Sequence, residues 1–337
     1  MTRVQKIAVP LTALIAVHLL VVLAGFVAPY DAATQFREHP YAPPSRIHFR
    51  DEKGSFHTRP FVYAWKNNGN FAEYEEDTGR ITPIRFLVRG DRYTMLRVLE
   101  SNVHLFGVDE PAHIFILGSD GYGRDQFSRL LYGGQISLFS GLLAAALALS
   151  LGLLCGSAGG YFGGLLDALL MRASEVFLVL PWLYLLFAVR AFLPLRMSPA
   201  GTFLLLIAII GAVGWTRPAR LVRGIVLSTK ERNYVLAARG FGASDWYLLR
   251  RHVLPQTRGV LLTQAAILIP QFILAEVTLS FLGLGVAEPI PSWGNMLSAL
   301  QQYNVLSSYW WMIIPGLVLI PIFLSYYLLA RSLEQPV

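Results

Sequence analysis

The residue types that perform bond chemistry are present in this sequence, but their spacing does not suit it. The seven histidines form no His-Glu-x-x-His zinc motif, and no Gly-x-Ser-x-Gly turn marks a nucleophilic serine. His104 and His113 flank Asp109 and Glu110, which leaves two interpretations: a loose metal site or, more often for such residues, a solvated loop. The pattern therefore predicts that the chain is not an enzyme and holds no metal or cofactor.

The glycine-rich run Gly118–Gly123 is the nearest approach to a phosphate-binding loop. It lacks the lysine and hydroxyl of Gly-x-x-x-x-Gly-Lys-[Ser/Thr], so no nucleotide cradle is expected. Its glycines are typical of turns, here leading into a short interfacial helix over Asp125–Gly133. Any ATP chemistry must reside on another polypeptide.

The segment Tyr234–Pro255 is polar and cationic, and it lies between two apolar stretches with the pattern of a helix–turn–helix. Two helix-favouring alanines precede Gly242, which stands where a left-handed C-terminal cap is needed. Ser244 or Asp245 can cap a second helix, which Pro255 ends. The residues alone leave two interpretations: a platform for a soluble partner, or a loop that packs on its own helices.

These residues also carry a family resemblance. Ala237-Ala238-x-x-x-Gly242, followed by His252-Val-Leu-Pro255, resembles the EAA loop of bacterial ABC importer permeases, in the dipeptide/oligopeptide/nickel branch. Two further stretches are similar to segments flanking the second and fifth helices of that branch: Leu117–Gly133, and Leu279–Gly285 with Pro291–Met296. The sequence departs from the motif at Leu236, where the name-giving glutamate would be.

The resemblance implies the second permease subunit of an importer, an all-α polytopic membrane protein with six transmembrane helices of the type I permease kind. The implied partners are a homologous permease subunit in a heterodimer, two cytoplasmic ABC ATPases, an extracytoplasmic solute-binding protein and the lipid bilayer, with no nucleic acid. Peptides are the cargo most often carried by this branch, and nickel, oligosaccharides and peptide-like antibiotics are alternatives.

The resemblance further implies that the helix–turn–helix docks an ATPase. The docking residues expected are Tyr234, Val235, Ala237, Ala238, Arg239, Gly242, Ala243, Ser244, Leu248, His252 and Pro255. We expect Val235, Ala238, Phe241 and Leu248 to be the side chains that enter a cleft on the partner. Arg239 and Arg250 are expected to pair with acidic groups there.

The composition, 54% hydrophobic and 15% charged, is too apolar for an ordinary soluble domain. The apolar residues form six blocks near the length of a membrane span: 7–28, 137–158, 168–191, 201–215, 260–284 and 309–329. We therefore expect an N-terminal segment and first helix over 1–29, an extracytoplasmic insertion with an interfacial helix over 30–134, and a five-helix core over 135–337. The docking loop lies at 217–258. The sole cysteine, Cys155, excludes a disulfide within the chain.

The distribution of charge indicates topology rather than nucleic-acid binding. The arginines and lysine of residues 217–258 face only Glu231 and Asp245 there, which is the positive-inside signature of a cytoplasmic loop. With six spans, Arg3 and Arg331 lie on the same side, so both termini are expected in the cytoplasm of a bacterial inner membrane. Residues 30–134 then lie outside.

The outer region has its own pattern. Pro60–Trp65 and Ile84–Val88 are typical of short strands, which predicts a small α+β subdomain. Its aromatic residues offer either a surface for a binding protein or cargo, or a self-contained lid; they are Phe61, Tyr63, Trp65 and Tyr74.

Polar and helix-breaking residues within the spans suggest a pathway. Glu276, with Pro270 and Ser280, is predicted to line it, although Glu276 is equally well explained as a hydrogen-bonded packing residue. An alternative function, an ion- or proton-coupled secondary transporter, would use Glu276 as the charge carrier. It is disfavoured because the sequence shows no internal repeat.

Glycines four residues apart form a small-residue stripe on the second span, which allows close helix approach. They are Gly152, Gly156 and Gly160. Packing within the chain is favoured over contact with a partner permease.

Overall fold

The structure, a computed structural model, describes residues 3–67, 74–95, 99–179, 181–191 and 198–334. Helices dominate it. The first seven are α1 Arg3–Val22, α2 Ala24–Val27, α3 Gln126–Phe162, α4 Gly164–Val179, α5 Trp182–Ala191, α6 Pro199–Gly214 and α7 Thr216–Lys230. The remaining six are α8 Asn233–Gly240, α9 Asp245–Leu248, α10 Arg258–Phe281, α11 Trp293–Ser298, α12 Tyr303–Ser308 and α13 Ile314–Glu334.

Among the described residues, four helical stretches are long and apolar enough to cross a membrane. They are Gln5–Val22, Gln126–Phe162, Asp245–Phe281 and Trp310–Glu334. A fifth exists if Ala200–Gly214 and Thr216–Lys230, which meet at 44°, are counted as one bent span. The prediction of six spans is therefore not confirmed.

The difference arises at the predicted third and fourth spans. The third is two helices, α4 and α5, of 16 and 10 residues, and each is shorter than a membrane crossing requires. Pro181 lies between them, and proline ends a helix because it lacks an N–H and its ring clashes with the preceding turn. The fourth, α6, has 16 residues and reaches span length only by continuing through the bend into α7.

The predicted interfacial helix over Asp125–Gly133 is not separate from the second span. Both belong to α3, which runs unbroken for 37 residues. Glycine within an apolar helix is tolerated when a neighbouring element packs against it, and the Cβ position of Gly134 would lie 3.0 Å from Trp293.

The N-terminal region between α2 and α3 is a small β structure. Its strands are β1 His48–Arg50, β2 Phe56–Asn67, β3 Tyr74–Pro83, β4 Arg85–Met95 and β5 Leu99–Gly107. They form an antiparallel three-stranded sheet in the order β1-β2-β3 and an antiparallel pair β4-β5. The predicted strands fall in β2 and β4, but the described part of residues 30–125 contains strands and loops rather than α+β structure.

The aromatic residues of β2 form the interior of this region, so of the two interpretations the docking surface is wrong for them. Phe61 is 0% exposed, Tyr63 4% and Trp65 9%. Trp65 packs with Phe115, and the hydroxyl of the half-buried Tyr74 donates to the carbonyl of Pro40 at 2.7 Å. An antiparallel sheet with one apolar face must bury that face, and here the chain's own loops cover it.

The chain divides into two compact units. One comprises Met1–Leu14, Leu138–Leu279 and Pro321–Val337 and holds most of the helical bundle. The other comprises Ile15–Ser137 and Ser280–Ile320 and holds the β structure with α11 and α12.

Within the first unit, the glycine stripe packs α3 against α7, as predicted for contact within the chain. The Cβ position of Gly152 would lie 2.5 Å from that of Pro218, and the Cβ position of Gly160 3.0 Å from that of Val226. A side chain at either position would force the two helices apart. The stripe therefore sets the separation of α3 and α7, on which the docking segment rests.

Candidate functional site

The predicted helix–turn–helix is present, and we call it the elbow: α8, the turn Phe241–Ala243, α9 and the turns that follow to Thr257. Gly242 adopts φ +86°, a left-handed conformation that glycine enters without a Cβ penalty. Its N–H donates to the carbonyl of Arg239 at 2.9 Å, and that of Ala243 donates to the carbonyl of Ala238 at 3.1 Å. This pair of bonds is a Schellman motif, so the first helix ends where the sequence predicts.

The second helix begins as predicted but does not end at Pro255. The hydroxyl of Ser244 accepts from the N–H of Tyr247, which caps α9. The chain then widens into a π-turn over Leu249–Val253, in which the N–H of Leu254 donates to the carbonyl of Leu249. Pro255 follows in the first turn of a 3-10 segment, Leu254–Thr257, where no N–H is needed, and α10 continues from there. Helical structure therefore runs from Asp245 to Phe281.

The elbow is anchored by apolar contacts within the first unit. Val235 and Leu248 are both 0% exposed. Leu249 and Val253 pack in a cluster with Val222 of α7. Burying a side chain of this size stabilises by about 1.5–3 kcal/mol. The prediction that Val235 and Leu248 enter a partner's cleft is therefore wrong, because they already fill this chain's own interior.

A polar contact fixes the turn to the end of α3. The hydroxyl of Tyr161 donates to Asp245 Oδ1 at 2.7 Å and accepts from a guanidinium N–H of Arg239 at 3.1 Å. Arg239 also lies 3.6 Å from Asp245. Arg239 thus joins α8 to α9, and its expected pairing with acidic groups of a partner stays a prediction.

The apolar side chains that the elbow exposes are a different set from most of those predicted. Phe241, at the tip of the turn, is 93% exposed, and Trp246 is 68% exposed. The elbow also exposes Tyr234, Leu236 and Tyr247. We call these five residues the aromatic face. Large apolar side chains exposed on one short segment are typical of an interaction site.

The remaining predicted docking residues differ in their exposure. Ala237 is exposed, Ala238 and Ala243 are half-buried, and the half-buried ring of His252 contacts the rings of Tyr234 and Tyr247. A basic concavity of about 830 Å³ lies alongside, lined by Trp246, Tyr247, Pro255 and three arginines, Arg250, Arg251 and Arg258. The elbow thus presents aromatic and cationic groups together.

The predicted pathway residues lie in the second half of α10. Pro270 is half-buried, Glu276 is 0% exposed and Ser280 is 2% exposed. A cavity of about 370 Å³ in the first unit is lined instead by Gln271 and its neighbours on α4, α6 and α7. The assignment of Glu276, Pro270 and Ser280 to a pathway stays a prediction.

The alternative of a metal site near His104 and His113 gains no support. The two ring nitrogens of His104 contact the backbone carbonyls of Ala28 at 2.6 Å and Asp91 at 2.9 Å. His113 instead packs against the rings of Phe36 and His39. Within the described residues, no group of three or more histidine, cysteine or acidic side chains could hold a metal ion.

The family profile of the binding-protein-dependent transport system inner membrane component matches residues 148–337, which contain the elbow. The chain belongs to this family. The family is described as the inner membrane component of a binding-protein-dependent transport system.

The sequence is also similar to those of individual permease proteins. The chain is 40% identical over 195 residues to the dipeptide transport system permease protein DppC of Bacillus subtilis (strain 168), covering 58% of this chain and 58% of that protein. It is 38% identical over 201 residues to the oligopeptide transport system permease protein OppC of the same organism, covering 59% of this chain and 63% of that protein. The matches thus span less than two thirds of these relatives' lengths.

Among solved structures, the chain is similar to an inward-facing form of the MetNI methionine ABC transporter. The identity is 17% and the TM-score 0.44, over 61% of this chain and 96% of that chain. The family assignment stands on the sequence match.

Sequence reasoning did not find the contact of Tyr161 with the elbow. Tyr161 and Asp245 are 84 residues apart, and no local pattern links them. Trp246 and Tyr247 were detectable, since their aromatic side chains follow a helix cap in a segment otherwise rich in arginine.

Proposed function

We propose that this family member is one of two permease subunits of an ATP-driven importer in a bacterial inner membrane, and that its elbow is the platform on which an ATPase docks. The observation that carries the proposal is the aromatic face. It is exposed, yet the backbone beneath it is fixed by the buried Val235 and Leu248 and by the Tyr161 hydroxyl.

An element that transmits force must present a surface and be rigid behind it. The exposed turn at Phe241 supplies the surface, while unbroken helical structure from Asp245 to Phe281 leads from the turn into a span. A displacement of α9 would therefore tilt α10. ATP binding would bias such movements between two conformations of the bundle, and the permease itself would make or break no bond.

The proposed cargo is peptides, and the proposed partners are a homologous permease, two ATPases and an extracytoplasmic solute-binding protein. Support comes from the family description and from relatives named for dipeptide and oligopeptide transport. We propose six crossings of the type I permease kind, with α4 and α5 together forming a broken span and α6 with α7 a bent one. Both termini and the elbow then lie in the cytoplasm, which the basic residues of 217–258 favour.

The test is a charge placed on the aromatic face. We expect Phe241→Asp to leave the protein inserted but to reduce ATPase co-purification and ATP-driven peptide uptake in proteoliposomes at least about tenfold, because a buried unpaired carboxylate opposes docking. The matched control is Phe56→Asp, which places the same change on the exposed Phe56 of β2. It should retain both properties.

Two results would overturn the proposal. One is normal ATPase binding and uptake in Phe241→Asp. The other is peptide uptake driven by a pH gradient in the absence of ATPases, which would favour an ion-coupled transporter.

A further inference from the structure

Four charged side chains of the second unit form one network. Asp120 accepts from the backbone N–H groups of Tyr122 and Arg124 through Oδ1, and its Oδ2 lies 2.7 Å from Arg124 Nε. The guanidinium of Arg124 donates to Glu288 Oε2 at 2.6 Å, and that of Arg129 donates to Glu288 Oε1 at 2.9 Å. Glu288 therefore joins two arginines, while Asp120 bonds its own loop and lies 3.6 Å from Arg129 Nε.

The members of this network differ sharply in exposure. The side chains of Arg124 and Arg129 are 7% and 2% exposed, whereas that of Glu288 is 45% exposed. Glu288 lies in a loop between α10 and α11, with Ala287 and Pro289 on either side also exposed. The arginines are thus enclosed by protein, whereas the glutamate that pairs with them reaches solvent.

Departure of Glu288 would leave the two arginines with too little negative charge around them. Two guanidinium groups would then face the single carboxylate of Asp120, so the site would carry one unmatched positive charge. A buried unpaired charge is costly, and another anion must replace the lost carboxylate. Two guanidinium groups arranged around one carboxylate are well suited to bind another.

A cavity of about 450 Å³ adjoins the arginines. This is within the range of small-ligand sites. Besides the four charged residues of the network, uncharged polar side chains line it, among them Gln126, Asn295 and Gln302. Gln126 is 3% exposed, and its Oε1 has no hydrogen-bond partner in the described part of the chain. Because this oxygen is itself buried, a ligand N–H would satisfy it only after neighbouring side chains move.

We propose that Arg124 and Arg129 form a carboxylate-binding site in which Glu288 occupies the place of the ligand. A small carboxylate with a neighbouring N–H, the chemistry of a peptide C-terminus, displaces Glu288 into solvent and enters the cavity. The choice of a peptide-like ligand rests on the proposed function, whereas the anion chemistry rests on the two arginines.

The test measures ligand-dependent thermal stability of the full chain in lipid nanodiscs, without ATPase or ATP. The probe is N-acetylglycine, and its controls are N-acetylglycinamide, which lacks the carboxylate, and 4-oxopentanoate, which has CH₂ in place of the N–H. We expect N-acetylglycine to stabilise the wild type, the amide to have no effect and 4-oxopentanoate to bind more weakly.

Glu288→Gln should bind N-acetylglycine about tenfold more tightly, because it removes a tethered competitor whose effective concentration is on the order of millimolar or higher. The matched control, Glu100→Gln at an exposed position on β5, should bind like the wild type. Arg124→Lys in the Glu288→Gln background keeps the charge, loses the two-pronged contact and should bind more weakly.

Binding by Glu288→Gln but not by the wild type would overturn the proposal, since it would show chemical rescue of a purely structural ion pair. Equal binding of the amide or of 4-oxopentanoate would also overturn it. The Phe241→Asp uptake assay leaves this site untouched, so either proposal can fail without the other.

Discussion

Replacement of Gly242 by alanine is the sharpest test of the elbow's geometry. Gly242 has φ +86°, and a Cβ added there would meet nothing within 4 Å. Any effect of Gly242→Ala must therefore come from backbone conformation, without a contribution from steric contact. Gly240 provides the matched control, because it also has open space around its Cβ position but lies within α8.

The two substitutions should act in opposite directions. Alanine in a left-handed conformation costs about 1–2 kcal/mol, partly offset by the lower conformational entropy of the open state, for a net loss of about 1 kcal/mol. Alanine in place of a helical glycine stabilises by about 0.5–1 kcal/mol. Local opening of the turn should thus become about fivefold more frequent in Gly242→Ala and about two- to fivefold less frequent in Gly240→Ala.

Hydrogen exchange of the amides of Gly242 and Ala243 is the assay, because both amides are bonded only while the Schellman motif is closed. Gly242→Asn should fall between glycine and alanine, since asparagine tolerates the left-handed region. Unchanged exchange in Gly242→Ala, or faster exchange in Gly240→Ala, would refute the reasoning.

Three further results are expected. Tyr161→Phe keeps the ring but removes the hydroxyl that contacts Asp245, so exchange in α9 should rise about fivefold for a bond of about 1 kcal/mol, with the global melting temperature nearly unchanged; a fall in exchange would contradict this. Gly156→Ala, whose Cβ would lie 2.9 Å from Val222, should lower thermal stability by about 1–3 kcal/mol, whereas Gly224→Ala, in open space on α7, should not. Burial raises the pKa of Asp125 to about 7, against hydrogen bonds from Ser128 that lower it. The folded state therefore binds this proton more tightly than the unfolded state, and the stability it contributes below pH 3.8 is lost as the pH rises through about 7. Asp125→Asn should remove that part of the decline in melting temperature between pH 4 and 8, and an identical pH profile would exclude it.

Much of the fold and part of the site followed from local patterns. The apolar blocks indicate a membrane protein because span length is a property of each segment alone. The turn of the elbow was predictable for the same reason: the bonds of the glycine cap at Gly242 and the serine cap at Ser244 span at most five residues. The spacing of Gly152, Gly156 and Gly160 likewise marked one face of α3.

The errors arose where local and distant interactions compete. A proline usually ends a helix. Here a π-turn precedes Pro255, which then lies in the first turn of a 3-10 segment where no N–H is needed, so helical structure continues from α9 into α10. The apolar block 168–191 predicts one span, yet α4 and α5 are separate helices on either side of Pro181. The aromatic residues of β2 gave no sign of which face of the sheet would be covered.

The sequence alone determined the lengths of the apolar blocks, the excess of basic residues in 217–258 and the caps of the elbow, because each depends only on residues close together in the chain. The tertiary structure alone decided that Val235 and Leu248 point inward while Phe241 stays exposed. It alone joined Tyr161 to Asp245 across 84 residues and Arg124 to Glu288 across 164. Such contacts depend on how distant segments fold back on one another, and no periodicity within a segment records that.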